Sequence, residues 1–189
     1  MSAPLSPLVH LVDDDEAVRN ALALLIGTVG LRVATWADPQ GFLTQFDRSA
    51  IGAIVLDVRM PGISGLSLLD SLREQGVDQP IIMLTGHGTV EMCRRAFKAG
   101  AAEFLEKPVD DELLIEALQN AVRQHVKSRQ RLQADHDAQL RYAQLSARER
   151  EVLWEGREVF DGAFAERVVC VRGAVAVGGQ PSLCESCGS

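Results

Sequence analysis

No stretch of the 189-residue sequence stays apolar for the roughly 18–20 residues that a membrane-spanning helix needs. The amino terminus also lacks the basic start and long apolar core of a secretory signal. These absences lead us to expect a cytoplasmic protein with no membrane partner. Cysteine is scarce, and its four copies make no disulfide framework: Cys93 stands alone in a helix-like segment, while Cys170, Cys184 and Cys187 lie near the carboxyl end. Cys184-x-x-Cys187 has the spacing of half a zinc site, but no second cysteine pair or histidine pair accompanies it, so no zinc is expected. Positive charge is in deficit as well. The formal net charge of −7 excludes a generally basic, nucleic-acid-coating protein and leaves room only for a local basic face.

What is present is a regular alternation. Leu8-Val9-His10-Leu11-Val12 is a short apolar strand followed at once by Asp13, Asp14 and Asp15. Ala17, Val18, Ala21, Leu22, Leu24, Leu25 and Val29 then recur at helical spacing until Gly30 stops the helix. Leu31–Trp36 is a second strand, and Asp38-Pro39 opens the next helix as N-cap and first-turn proline. A third strand from about Ile51 runs straight into Asp57, and Ser64 caps a helix bearing Leu66, Leu68, Leu69 and Leu72. Pro80–Leu84 is strand four, ending at Thr85 and the turn Gly86-His87-Gly88; a helix from about Thr89 to Ala99 closes at Gly100. Ala102–Glu106 is strand five, followed by Lys107-Pro108, and Asp110 or Asp111 caps a last helix.

Five such units call for parallel strands with right-handed crossovers and helices on both faces, an α/β fold. Continuous apolar runs fit strands buried on both sides. Asp13, Asp14, Asp57, Thr85 and Lys107 all fall at carboxyl ends of strands and so share one edge of a parallel sheet. In the order 2-1-3-4-5, strands one and three are neighbours at the switch point, which brings the three carboxylates together. Carboxylates gathered in this way repel unless a cation is present. A hard divalent ion such as Mg²⁺, which keeps waters while bridging carboxylate and phosphoryl oxygens, answers that need. Lys107 adds a point charge and Thr85 a hydroxyl, which is equipment for phosphoryl transfer with Asp57 as nucleophile.

Val12-Asp13-Asp14-Asp15, Leu56-Asp57-Val58-Arg59-Met60-Pro61-Gly62, Leu84-Thr85-Gly86-His87-Gly88 and Glu106-Lys107-Pro108 together resemble the receiver domain of two-component response regulators. Ala99-Gly100-Ala101 and Phe104–Pro108 are especially similar to the FixJ-like branch. The resemblance implies a flavodoxin-like (βα)5 receiver over residues 5–125 that is phosphorylated on Asp57 by a sensor histidine kinase. It implies Mg²⁺ held by Asp13, Asp14, Asp57 and the Arg59 backbone carbonyl, with Thr85 and Lys107 gripping the phosphoryl group. It makes Phe104 an aromatic switch that follows Thr85, and Lys107-Pro108 a cis peptide. The face of the fourth helix, fifth strand and fifth helix would then support a phosphorylation-dependent homodimer, although Arg94 stands where related receivers place an aliphatic residue. Asp15 is read as a helix cap or first-turn acid and His87 as a solvent-facing loop residue.

Residues 126–144 are expected to form a helical linker, because Leu132, Leu140 and Leu145 are too sparse for a heptad seam. Leu145–Leu153 resembles the first helix of a LuxR-type helix-turn-helix domain, with Ser146 and Glu149 as a capping box. From Trp154 onward there are three arginines, no lysine and five acids, and no basic recognition segment follows. The expectation for 145–189 is a truncated or degenerate remnant, poorly ordered after 153, with DNA binding doubtful. Two functional readings remain: a response regulator that is by descent a transcription regulator, or a stand-alone receiver acting through protein contacts or as a phosphate sink. A metal-dependent phosphohydrolase fits less well, since such enzymes commonly carry a second acid where Arg59 stands. The resemblance implies a receiver that assists its own phosphorylation and dephosphorylation but is a signalling protein rather than an enzyme.

Overall fold

The computed structural model describes residues 7–146. The expectations for the tail beyond Ser146, including the helix-turn-helix remnant and the cysteine pair, lie outside the described residues. Five strands alternate with five helices: β1 (Leu8–Val12), α1 (Glu16–Thr28), β2 (Arg32–Trp36), α2 (Pro39–Gln45), β3 (Gly52–Asp57), α3 (Gly65–Glu74), β4 (Ile81–Thr85), α4 (Val90–Lys98), β5 (Glu103–Glu106) and α5 (Asp111–Ala143). The sheet has the order β2-β1-β3-β4-β5 with every pairing parallel. The parallel α/β fold expected from the alternation, and the flavodoxin-like architecture that the resemblance implies, are therefore the ones observed.

Residues of opposite parity along each strand feed the two cores. Ile54, Leu56, Ile81 and Met83 pack with Phe42, Leu68, Leu69, Leu72 and Ala96 beneath α2, α3 and α4. Val9, Leu11, Val55, Ile82 and Leu84 pack with Leu22, Ile26, Leu114 and Leu118 beneath α1 and α5. Every residue of β3 and β4 is buried, as expected for inner strands covered on both faces. Two helical leucines fall outside this pattern: Leu24, from the stripe expected in α1, is 76% exposed, and Leu113 of α5 is 54% exposed. Leu24 lies two residues from both Leu22 and Ile26, and Leu113 lies one from Leu114, so helical geometry turns each away from the buried face.

The chain marks its own helix starts. The Asp15 carboxylate accepts from the Ala17 and Val18 amides, Asp38 from Gly41, Ser64 from Ser67 and Thr89 from Met92. Asp110, rather than Asp111, caps α5, accepting from the Glu112 and Leu113 amides at 2.9 and 3.1 Å. The cap of α1 also fixes the Asp13–Asp15 turn, because the Asp15 amide donates to Asp13 Oδ1 at 3.0 Å.

α5 runs without a break through the expected helical extension to Ala143, and the compact unit that contains the sheet reaches Arg129. His125, at the end of the expected receiver where the sequence turns polar, is only 3% exposed, and its Nδ1 lies 3.2 Å from the Gly52 amide nitrogen. One turn later, Arg129 grips Asp78 with Nε–Oδ2 and Nη2–Oδ1 contacts of 2.9 Å each, and its Nη2 also donates to the Arg48 carbonyl at 3.0 Å. Gly52 begins β3 and Asp78 precedes β4, so this network ties α5 to the amino edge of the sheet.

Candidate functional site

Strand register sets the opposite edge. Val12 pairs with Leu56, so Asp13 and Asp57 leave neighbouring strands in step. Asp57 pairs with Leu84 and Thr85 with Glu106, which places Thr85 and Lys107 each one step further along the edge. Asp13, Asp57 and Thr85 are all buried. The Lys107 amide donates to the Thr85 carbonyl at 2.7 Å, and the Lys107-Pro108 peptide is cis, as the resemblance implies.

One ammonium joins the two buried carboxylates. Lys107 Nζ stands 2.6 Å from Asp13 Oδ2 and 2.6 Å from Asp57 Oδ1. Charge-assisted contacts this short combine hydrogen bonding with ion pairing. The remaining acceptors are largely engaged: Asp57 Oδ2 receives the Arg59 amide at 2.8 Å, and Arg19 Nη1 donates to the Asp13 carbonyl at 2.7 Å. Burial pushes the Asp57 carboxyl above its ordinary value, and the nearby Asp13 charge adds to that rise; the hydrogen bond and charge of Lys107 offset it only in part. Burial alone would pull the Lys107 ammonium down, but hydrogen bonds to Asp13 and Asp57 and their charges reverse this and leave it raised. The centre thus holds more negative charge than a single lysine compensates.

Asp14 stands apart. It is exposed, and among the described residues no group of three or more His, Cys, Asp or Glu side chains is arranged to hold a metal ion. The structure gathers Asp13 and Asp57 around Lys107 and leaves Asp14 at the solvent side of the same turn. The donor set still fits a magnesium-like ion. It is all oxygen and carries excess negative charge, and Mg²⁺ typically takes only one or two carboxylates and completes its shell with water and substrate oxygens.

The other expected site residues are nearby in different ways. Phe104, on β5, is half-buried against the core beneath α4. His87 is exposed, as expected, but its amide donates to Thr85 Oγ1 at 3.3 Å. On α4, Arg94 is exposed and Arg95 reaches Asp70 of α3 at 3.2 Å, an exposed pair worth little on its own. One site residue escaped the sequence reading altogether. A Cβ on Gly65 would lie 2.0 Å from the Asp57 carbonyl oxygen, so α3 can start this close to the acceptor strand only with glycine there. A glycine immediately after the Ser64 cap, where most residues fit, was the available signal.

With this geometry in place, the comparisons agree on its origin. Residues 9–119 match the family described as Response regulator receiver domain. The chain is 43% identical over 150 residues to the transcriptional regulatory protein FixJ of Azorhizobium caulinodans, covering 79% of this chain and 71% of that protein. It is 40% identical over 148 residues to the response regulator protein TodT of Pseudomonas putida, covering 77% of this chain and 64% of that protein. Among solved structures, response regulator StyR superposes with a TM-score of 0.74 at 31% identity, covering 89% of each chain. The crystal structure of FixJ-N superposes with a TM-score of 0.58 at 40% identity, covering 62% of this chain and 94% of that one. This chain belongs to the response regulator receiver family of two-component signalling proteins.

Proposed function

We propose that this protein acts in the cytoplasm, accepting a phosphoryl group on Asp57 from a sensor histidine kinase and converting that event into a change of its surface. The observation that carries the reading is the buried Asp57 carboxylate sharing one ammonium with Asp13 at the carboxyl edge of the sheet. A carboxylate oxygen of Asp57 attacks the phosphorus of the donor. The phosphorus–nitrogen bond of the phosphohistidine breaks, its electron pair stays with the imidazole, and an acyl phosphate forms on Asp57. The Arg59 amide holds one Asp57 oxygen and Lys107 the other, which orients the nucleophile before reaction. As the phosphoryl group arrives, the Lys107 ammonium transfers from carboxylate to phosphoryl oxygen, and the Thr85 hydroxyl donates to another.

Asp13, Asp14, Asp57 and the Arg59 carbonyl would hold Mg²⁺, which when bound neutralises charge on the transferring oxygens. Phe104 follows Thr85, and the α4–β5–α5 face is the surface that would change and support a homodimer. The output is transcription regulation by descent, because relatives bear that name. The acidic balance after Trp154 favours the second reading, a receiver that signals through protein contacts or drains phosphate without binding DNA.

Labelling with a small acyl-phosphate donor and Mg²⁺ tests the central claim. The wild type should label and Asp57→Asn should not; equal labelling of the two sinks it. A gel shift with and without the donor separates the two outputs, since DNA retained only after phosphorylation supports the transcriptional one.

A further inference from the structure

Thr85 and Phe104 sit on adjacent strands, and a residue whose Cβ would meet both of them is a glycine with no conformational need to be one. Gly88 is not among the glycines with positive φ, so a side chain there meets no backbone objection. The objection is space. A Cβ on Gly88 would lie 3.2 Å from Phe104 Cε1 and 3.3 Å from Thr85 Cγ2, both closer than ordinary van der Waals contact. Nothing else stands as near: the next atom, Phe104 Cζ, is at 3.9 Å. Gly88 also lies one residue beyond His87, whose amide is bound to the Thr85 hydroxyl. The short turn 86–88 is therefore tethered to Thr85 through a hydrogen bond at one point and faces both Thr85 and Phe104 at the next.

We propose that Gly88 is a positioning residue, whose missing side chain is the clearance through which Thr85 and Phe104 respond to each other. The inference rests on the proposed acceptance of a phosphoryl group at Asp57. Thr85 is fully buried in β4 and has less room to give way than the half-buried ring of Phe104, which can turn. A methyl at this position penalises the arrangement in which ring and threonine flank the turn more than one in which the ring has moved off, where only the Thr85 contact remains. The balance between the two shifts, and with it the affinity for a phosphoryl group at the edge.

The test is a double-mutant cycle with beryllofluoride and Mg²⁺ as the phosphoryl mimic, titrated against the full chain and read by fluorine NMR. Gly88→Ala should tighten binding by about threefold to tenfold, the low end of what one added methyl costs in a packed contact. In a Phe104→Ala background the same substitution should change binding by less than about twofold, because the ring that it displaces is gone. The Phe104 ring resonances of unliganded Gly88→Ala should also lie closer to those of the beryllofluoride-bound wild type than the free wild type's do. If Gly88→Ala alone folds poorly, it should lower the melting temperature less in the Phe104→Ala background than in the wild type, since the ring it crowds is gone. Unchanged or weaker binding, or an equal change in both backgrounds, overturns the role of Gly88 while leaving the phosphoryl acceptor intact. A wild type that takes up no beryllofluoride overturns the acceptor reading and this inference with it.

Discussion

The two edges of the sheet carry networks of the same size and opposite character. At the carboxyl edge, Asp13 and Asp57 share Lys107; at the amino edge, Asp78 is shared by His125 and Arg129. The first has two acids for one base, with both acids buried, so its charges are unbalanced where water cannot screen them. The second has one half-exposed acid for an arginine and a histidine, and the buried member satisfies the Gly52 backbone. Unbalanced and buried charge is costly and reactive, whereas balanced and half-exposed charge is cheap and holds elements in place. The carboxyl edge is built to change partners and the amino edge to keep them.

Substitutions can break this division. Lys107→Ala should slow labelling by the small donor about a hundredfold, the scale of losing one preorganised charge donor. An unaffected rate would mean that the ammonium merely neutralises and does not assist. Gly65→Ala pushes α3 against the Asp57 carbonyl and should lower stability by up to about 3 kcal/mol in urea unfolding. Labelling should slow with it, so a stable Gly65→Ala protein would show that the close approach is not required. His125→Ala should cost about 2 kcal/mol by leaving the Gly52 amide unpaired, and Arg129→Ala about 1 kcal/mol at most. Both should label at the wild-type rate per folded molecule. Slow labelling in either would join the two edges into one functional unit.

The gentlest test is pH. The Asp57 carboxyl is raised in the folded state, so between its ordinary value of 3.8 and the folded value the native protein binds more protons than the unfolded chain. Stability should therefore fall as pH rises through that window and be relieved as pH drops. In a chelating buffer this slope should appear in the wild type and vanish in Asp57→Asn. The same slope in both proteins would assign the effect to another group.

The carboxyl edge was legible because its residues announce themselves at strand ends. A carboxylate, a threonine or a lysine that terminates an apolar run must lie on one side of a parallel sheet, and the 2-1-3-4-5 order puts the runs side by side. The partners within that edge were not legible in the same way. Spacing alone grouped Asp14 with Asp13 and Asp57, yet consecutive residues beyond a strand point differently, and only Asp13 turns inward. The amino edge was missed because His125 and Arg129 are polar residues in a stretch where leucines become sparse, a pattern that reads as solvent-facing. Helical periodicity places His125 three and four residues after Val122 and Ala121, on the buried side. That spacing was available; the side-chain chemistry concealed it. Gly65 stayed hidden because its role is an absence of atoms.

The strand order has a kinetic consequence. Asp57 and Thr85 end β3 and β4 and Asp13 directly follows β1, the three inner strands, whereas Lys107 follows β5 at the rim. Inner-strand amides exchange with solvent chiefly through global unfolding, while rim strands open locally and more often. The acids and the hydroxyl are thus anchored in the slowest-exchanging part of the molecule, and the cation hangs from a faster one. Deuterium uptake should separate these strands by orders of magnitude in time, with β5 and its lysine breathing against an acidic pocket that stays still.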